Sequence, residues 1–274
     1  MILLRFAVPL VTLGLAAALA AADEAPARFT SRIIRFADLA VKPSGVGERR
    51  DVANNPTATL ERLECHISVL NPSKASHLPH THPQEELIVL LEGTLDVNAN
   101  GQIRRVGPGS LFFFRSNNPH AVQNNGGQPA RYYVFNFETA RTHTPPAVGA
   151  PTAPGELGST VVDWNTLPVK STATGERRAV FDSPTATLEN LECHVTTLKA
   201  GAAAHAPHRH PDEEIILIRD GQLDVTINGV TSQAGSGDIL FFSSNDEHGV
   251  KNSGATPATY YVLRLVTAAT PKPA

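Results

Sequence analysis

The sequence predicts an all-β protein of two tandem barrels, and three observations point to it. First, the chain is written twice. PTATLERLECH at 56–66 returns as PTATLENLECH at 184–194, and HTHPQEELIVLLEG at 80–93 returns as HRHPDEEIILIRDG at 208–221, both at an offset of 128 residues. Second, the register holds without a gap from about residue 33 to 135. The repeated unit is therefore roughly a hundred residues, a domain rather than the 20–50-residue repeat of a solenoid. Third, the local signals inside each unit are short runs rich in apolar, β-branched or aromatic residues, separated by Gly, Asn or Pro, with no long segment of helical period.

In chain order, the first element is not part of a barrel. Residues 1–22 carry one early cation, Arg5, then an apolar run, then alanines at 18, 20 and 22 that fit a small-x-small cleavage rule, so they read as a signal peptide. Pro9 and Thr12 interrupt the run, which falls short of the roughly 20 apolar residues needed to span a bilayer. Export to the periplasm or medium is expected. The mature chain then divides into a first barrel at 33–141, a Pro/Gly/Ala/Thr-rich linker at 142–159 and a second barrel at 160–268.

Within each barrel the strands have different characters. In LECHISVL, Leu63, Cys65, Ile67 and Val69 fall on one face and Glu64 and His66 on the other. His66 and its counterpart His194 are thus expected on an outer face or between the barrels, and Cys65 and Cys193 as buried core residues without a disulfide. EELIVLLEG is apolar on both faces, Leu87, Val89 and Leu91 alternating with Ile88 and Leu90. Its outer face needs cover, which predicts that the barrels pack against each other through one sheet of each. Asn100-Gly101 and Asn228-Gly229 are the preferred pair for a type I′ hairpin turn. SLFFF and ARYYVFNFE complete the set of strands.

Composition limits the partners. With 41% hydrophobic residues the chain can bury a sizeable core, and its net charge of −3 is interspersed, with no basic stripe and no acidic tail. No nucleic acid and, after signal cleavage, no membrane is expected as a partner. A small molecule is, and a homo-oligomer is left open.

The chemistry is concentrated in the repeated motif. His80 and His82 are two apart and Glu86 shares their parity, so on a strand all three aim at one point, as do His208, His210 and Glu214. A fourth ligand must come from elsewhere, and His120 and His248, each four residues before an asparagine, Asn124 or Asn252, are the candidates. Glu85 and Glu213 have the opposite parity and face away.

These residues resemble the cupin superfamily, specifically its two-barrel members, the bicupins. His80, His82, Glu86 and Gly93, and again His208, His210, Glu214 and Gly221, match the first cupin motif. Gly109, His120 and Asn124, and again Gly237, His248 and Asn252, match the second. The departures lie in the turns. Lys74 and Ala202 replace a leading glycine, and Arg115 with Asn117, or Ser243 with Asn245, replace a proline and a glycine. Asparagine tolerates left-handed backbone, so Asn117 and Asn245 can keep the turn that delivers the histidine.

The resemblance implies two cupin (double-stranded β-helix, jelly-roll) barrels, each with a divalent metal held by three histidines and one glutamate. Such a non-thiolate set suits transition metals, Mn(II) or Fe(II) first among them, and leaves coordination positions open for chemistry. The expected function is a metal-dependent enzyme of oxygenase, decarboxylase or hydrolase type, by analogy with bicupin oxalate decarboxylases, quercetin dioxygenases and ureidoglycine aminohydrolases. The alternative is a non-catalytic barrel that binds or senses a small ligand or metal. His77 and His205, three residues before the first ligand, and Glu247, beside the last, are the candidate acid or base groups. Asp246 and Glu247 make the second barrel the more acidic near its last histidine, which points to it as the harder-working one.

Overall fold

The computed structural model describes residues 27–272, and the signal peptide expected at 1–22 lies outside them. The described chain folds into two antiparallel jelly-roll barrels. In the first, a seven-stranded sheet runs Thr160–Val162, Leu111–Phe114, Glu85–Glu92, Ala130–Glu138, Arg62–Leu70, Gly47–Asn55, Lys42–Ser44, and a four-stranded sheet runs Lys74–Ala75, His120–Asn124, Leu95–Ala99, Gln102–Val106. The second repeats this with Arg32–Ile34, Ile239–Phe242, Glu213–Asp220, Ala258–Val266, Asn190–Leu198, Gly175–Ser183 and Lys170–Thr172 facing Val230–Gly235, Gln222–Ile227 and His248–Asn252.

The first strand of each repeat joins the other barrel. Arg32–Ile34 pairs with Ile239–Phe241, and Thr160–Val162 pairs with Leu111–Phe113. A boundary at 33 falls inside the first exchanged strand, and one at 160 falls at the first residue of the second. Alternation within a three-residue strand does not say which of two sheet edges it joins.

Asn100 and Gly101 have φ of 51° and 82°, Asn228 and Gly229 have 47° and 82°, and each pair turns directly between paired strands. Asn117 and Asn245 are left-handed too, at 55° and 63°.

Two kinds of core result from the two faces of the long strands. Leu63, Cys65, Ile67, Leu87, Val89, Phe135 and their counterparts Leu191, Cys193, Val195, Ile215, Leu217 and Leu263 form one shared cluster between the barrels. Both cysteines are free and buried in it. Ile88, Leu90, Phe112, Phe114, Tyr132 and Val134 line the inside of the first barrel, and Ile216, Ile218, Leu240, Phe242, Tyr260 and Val262 the inside of the second.

Reciprocal polar contacts fix this interface. Tyr133 Oη donates to the Gly237 carbonyl at 2.9 Å, and Tyr261 Oη to that of Gly109 at 3.0 Å. Phe36 lies between the guanidinium groups of Arg50 and Arg131, each 4.6 Å from the ring centroid, and Trp164 between those of Arg178 and Arg219 at 4.7 and 3.9 Å. Glu85, fully buried, crosses into the second barrel, where it accepts from the Thr185 hydroxyl, from Ala186 N at 3.0 Å and from Thr187 Oγ1 at 2.6 Å. Glu213 crosses the other way to Thr57 Oγ1 at 2.6 Å, Ala58 N at 2.9 Å and Thr59 Oγ1 at 2.8 Å. The repeated Thr-Ala-Thr of the PTATLE motif is thus a cradle for the partner barrel's carboxylate.

Candidate metal centres

The first two ligand histidines of each site sit on a loop, not a strand. Parity predicted a strand through His80, His82 and Glu86, but the strand starts at Glu85, and His80 is held only by a single bridge to His120. Pro79 and Pro83, with Pro207 and Pro211 in the second copy, supply no N–H and so cannot continue a ladder. The bridge does the positioning. His80 N donates to His120 O at 3.1 Å and His120 N to His80 O at 3.0 Å, which clamps the loop to the strand carrying the third histidine. His208 and His248 repeat it at 2.9 Å in both directions.

The three histidines of each barrel offer ring nitrogens within 4.8 Å of one another. Glu86 reaches them, with Oε2 3.6 Å from His82 Nε2 and Oε1 3.8 Å from His120 Nε2, and Glu214 matches it at 3.4 and 3.9 Å from His210 and His248. Hydrogen bonds set the tautomers. Nδ1 of His80, His82, His120, His210 and His248 each faces a backbone carbonyl, at 3.3, 2.9, 2.8, 2.9 and 2.9 Å. A carbonyl only accepts, so Nδ1 carries the hydrogen and, in the neutral ring, the Nε2 lone pair points to the common centre. Phe114 stacks on His120 at 4.3 Å and Phe242 on His248 at 4.4 Å, locking those rings.

A divalent ion fits this donor set. Nε2 of His120, His210 and His248 is buried with no hydrogen-bond partner, a costly arrangement that a metal would relieve. Burial pushes His120 down to about 4, leaving it neutral and able to ligate at pH 7. At His210 burial opposes the charged ring, but the neighbouring Asp212 and Glu214 carboxylates outweigh it and lift the group to about 9, so a metal ion bound there displaces a proton. Glu86 is held below the usual carboxylate range, because the adjacent His82 and His120 overcome the effect of its burial. Replacing Glu86 by Gln removes the anion that offsets the cation. Metal content after dialysis should then fall from about two ions per chain to about one, with the second site spared. Elemental analysis checks this, and simultaneous loss from both sites would show that they are coupled.

Above each site lies a cavity of about 540 Å³. His77 and His205 stand at its rim, exposed, their rings 3.8 Å from His80 and 4.1 Å from His208. Glu247 is not among the lining residues. It follows Asp246 on the turn, its side chain lies 4.0 Å from Arg209, and its strand neighbour His248 takes the inward position. Asn124 and Asn252 do not ligate but brace turns, each Nδ2 donating to two carbonyls at 2.8–3.0 Å.

His66 and His194 face the cavities, contrary to the outward placement expected for them. The alternation holds with the opposite sense, because the apolar side of this strand covers the other barrel and its polar side lines the site. In register, Glu64, Asn136 and Glu86 form one row across three strands, with His66, Val134 and Ile88 in the next row along. His66 therefore stands about 10 Å, two strand spacings, across the floor from the strand that bears Glu86. Its Nδ1 is held by Glu64 at 2.9 Å, and Glu64 is held in turn by Arg49 Nη2 and Asn136 Nδ2, both at 2.7 Å. His194, Glu192 and Arg177 repeat the arrangement at 2.7 and 2.9 Å. Equal spacing from Glu64 and Glu192 was the signal in the sequence.

Fold and site together define a two-barrel protein with a histidine–glutamate metal-site candidate in each barrel. The family model for the cupin domain matches residues 66–136 and again 194–264, just over half of the sequence, and the chain belongs to that family. Solved structures of the same architecture include AerE from Microcystis aeruginosa, with a TM-score of 0.62 and 15% identity over 86% of this chain and 97% of that one. An oxalate decarboxylase from Lactobacillus farciminis, in complex with formate, gives 0.65 and 17% over 89% and 88%. The oxalate decarboxylase of Bacillus subtilis, described with Mn(II) centres, gives 0.64 and 16% over 89% and 79%. No curated protein matches the sequence. Among the described residues no helix is long and apolar enough to cross a membrane.

Proposed function

We propose that this chain is an exported metal-dependent enzyme that acts on a small oxygenated or carboxylated molecule. The observation that carries the reading is the convergence of three imidazole rings and one carboxylate in a cavity where the same sheet, two strands away, holds an oriented His–Glu dyad. His80, His82, Glu86 and His120 would hold the ion in the first barrel, and His208, His210, Glu214 and His248 in the second. A bound divalent cation supplies Lewis acidity and an open position for an oxygen ligand. Mn(II) or Fe(II) suits the nitrogen and oxygen donors, and the Mn(II) centres of the Bacillus subtilis fold relative support Mn(II).

The residues of the chain divide the remaining work. Glu64 fixes the His66 ring through Nδ1, which leaves Nε2 to take or return a proton at a molecule lying between it and the metal ligands. Tyr132, Ile88 and Val134 give that molecule an apolar bed and exclude water, while His77 closes the rim. Export rests on residues 1–22: a product lacking them and recovered in the periplasm or medium is expected, and full-length protein retained in the cytoplasm would speak against it.

The test is metal analysis of protein purified from its native compartment, with oxygen-consumption, decarboxylation and hydrolysis screens on the same sample. Stoichiometric metal with turnover in one screen is the expected result. Protein that carries no transition metal and turns over nothing would remove the reading.

A further inference from the structure

We propose that the two sites hold their metal on different time scales, the second as a retentive site and the first as an exchangeable one. The inference rests on the reading that both barrels bind a divalent cation. Two observations at positions 84 and 136, against their counterparts 212 and 264, carry it.

The first concerns what stands behind a ligand. His210 Nδ1 faces the Asp212 carboxylate at 3.2 Å in addition to the Asp212 carbonyl at 2.9 Å, and Arg264 fixes that carboxylate through two bonds of 2.6 and 3.1 Å. His82 Nδ1 has only the Gln84 carbonyl, at 2.9 Å, because the Gln84 side chain turns to Glu138 at 3.3 Å. A carboxylate behind a metal-bound imidazole fixes the ring and strengthens it as a donor. The second barrel has this support and the first lacks it.

The second observation concerns access. A recess of about 210 Å³, with Gln84 and Glu138 in its wall, reaches His82 separately from the main cavity; Glu64, His82 and Asn136 line both. Water, protons or a chelator can thus approach that ligand from two sides. At the equivalent place in the second barrel the buried Asp212 is bonded to Arg264, so an ion pair spans the position that Gln84 and Asn136 leave unbridged. Metal release proceeds one ligand at a time, and a ligand that is both braced and covered is slow to let go.

Zn(II) release from the full-length protein into excess chromogenic chelator tests this. His248→Ala leaves the first site to be measured alone, and His120→Ala leaves the second. The second site should release Zn(II) at least about tenfold more slowly. In the His120→Ala protein, Asp212→Asn should raise that rate toward the first site's, and in the His248→Ala protein Gln84→Asp with Asn136→Arg should lower it. If the paired exchange fails to fold by circular dichroism, Asp212→Asn and Arg264→Gln decide alone. Equal rates at the two sites, faster release from the second, or no response to Asp212→Asn overturns the inference while leaving the metal reading in place. Failure of both sites to take up Zn(II) overturns the two together.

Discussion

Replacing Glu85 and Glu213 together by alanine is expected to lower the melting temperature by roughly 10–20 °C, the largest stability effect of any substitution outside the apolar core. Each carboxylate is fully buried and accepts from two threonine hydroxyls and a backbone N–H of the other barrel. Removing it strands those donors away from water, at a cost of about 3 kcal/mol for each glutamate. A domain has only roughly 5–15 kcal/mol in total, so the double variant should be measurably unfolded well below the wild-type transition. Differential scanning calorimetry reads it. A change of less than a few degrees would show that the cradles do not hold the barrels together.

The pH dependence of this lock has a definite sign. Burial pushes both carboxyls up from 4.5 in spite of the donors around them. A group whose folded pKa is raised binds its proton more tightly when folded, so its contribution is fully present below about 4.5 and is lost as pH climbs through the raised values. The stability difference between wild type and the Glu85→Gln, Glu213→Gln protein should therefore narrow over that interval.

For the reaction, the largest expected effect is that of His66→Asn and His194→Asn. Loss of a positioned acid or base lowers turnover by about 10²–10⁴-fold, whereas Asn keeps the size and polarity of the wall. The variant in the barrel that works should lose turnover with its metal content unchanged, and the matching limb of its pH–rate profile should vanish. Comparing the two singles also shows which barrel carries the chemistry. Both sites have the same ligands and the same dyad, and Asp246 and Glu247, the acidic pair that sets the second barrel apart in the sequence, lie outside its cavity lining. Full turnover in both variants would remove the dyads from the mechanism.

Much of this protein is legible in its sequence. The offset of 128 alone yields two domains, and the alternation and Asn-Gly pairs yield strands and hairpins, because side-chain period and left-handed backbone are local properties of the chain. The ligand residue types were equally open to view, since two histidines and a glutamate repeated at fixed spacing have few other uses. Tertiary structure decided what alternation cannot, namely which face of a strand looks inward. Leu63, Cys65 and Ile67 would be read as a barrel's own interior, yet they cover the neighbouring barrel and leave His66 and Glu64 to line the site. The same holds for the exchanged strands at 32–34 and 160–162 and for the reach of Glu85 into the Thr185–Thr187 turn. Each is a pairing between two halves that share their motifs at a fixed offset, so only their packing in three dimensions determines which half answers which.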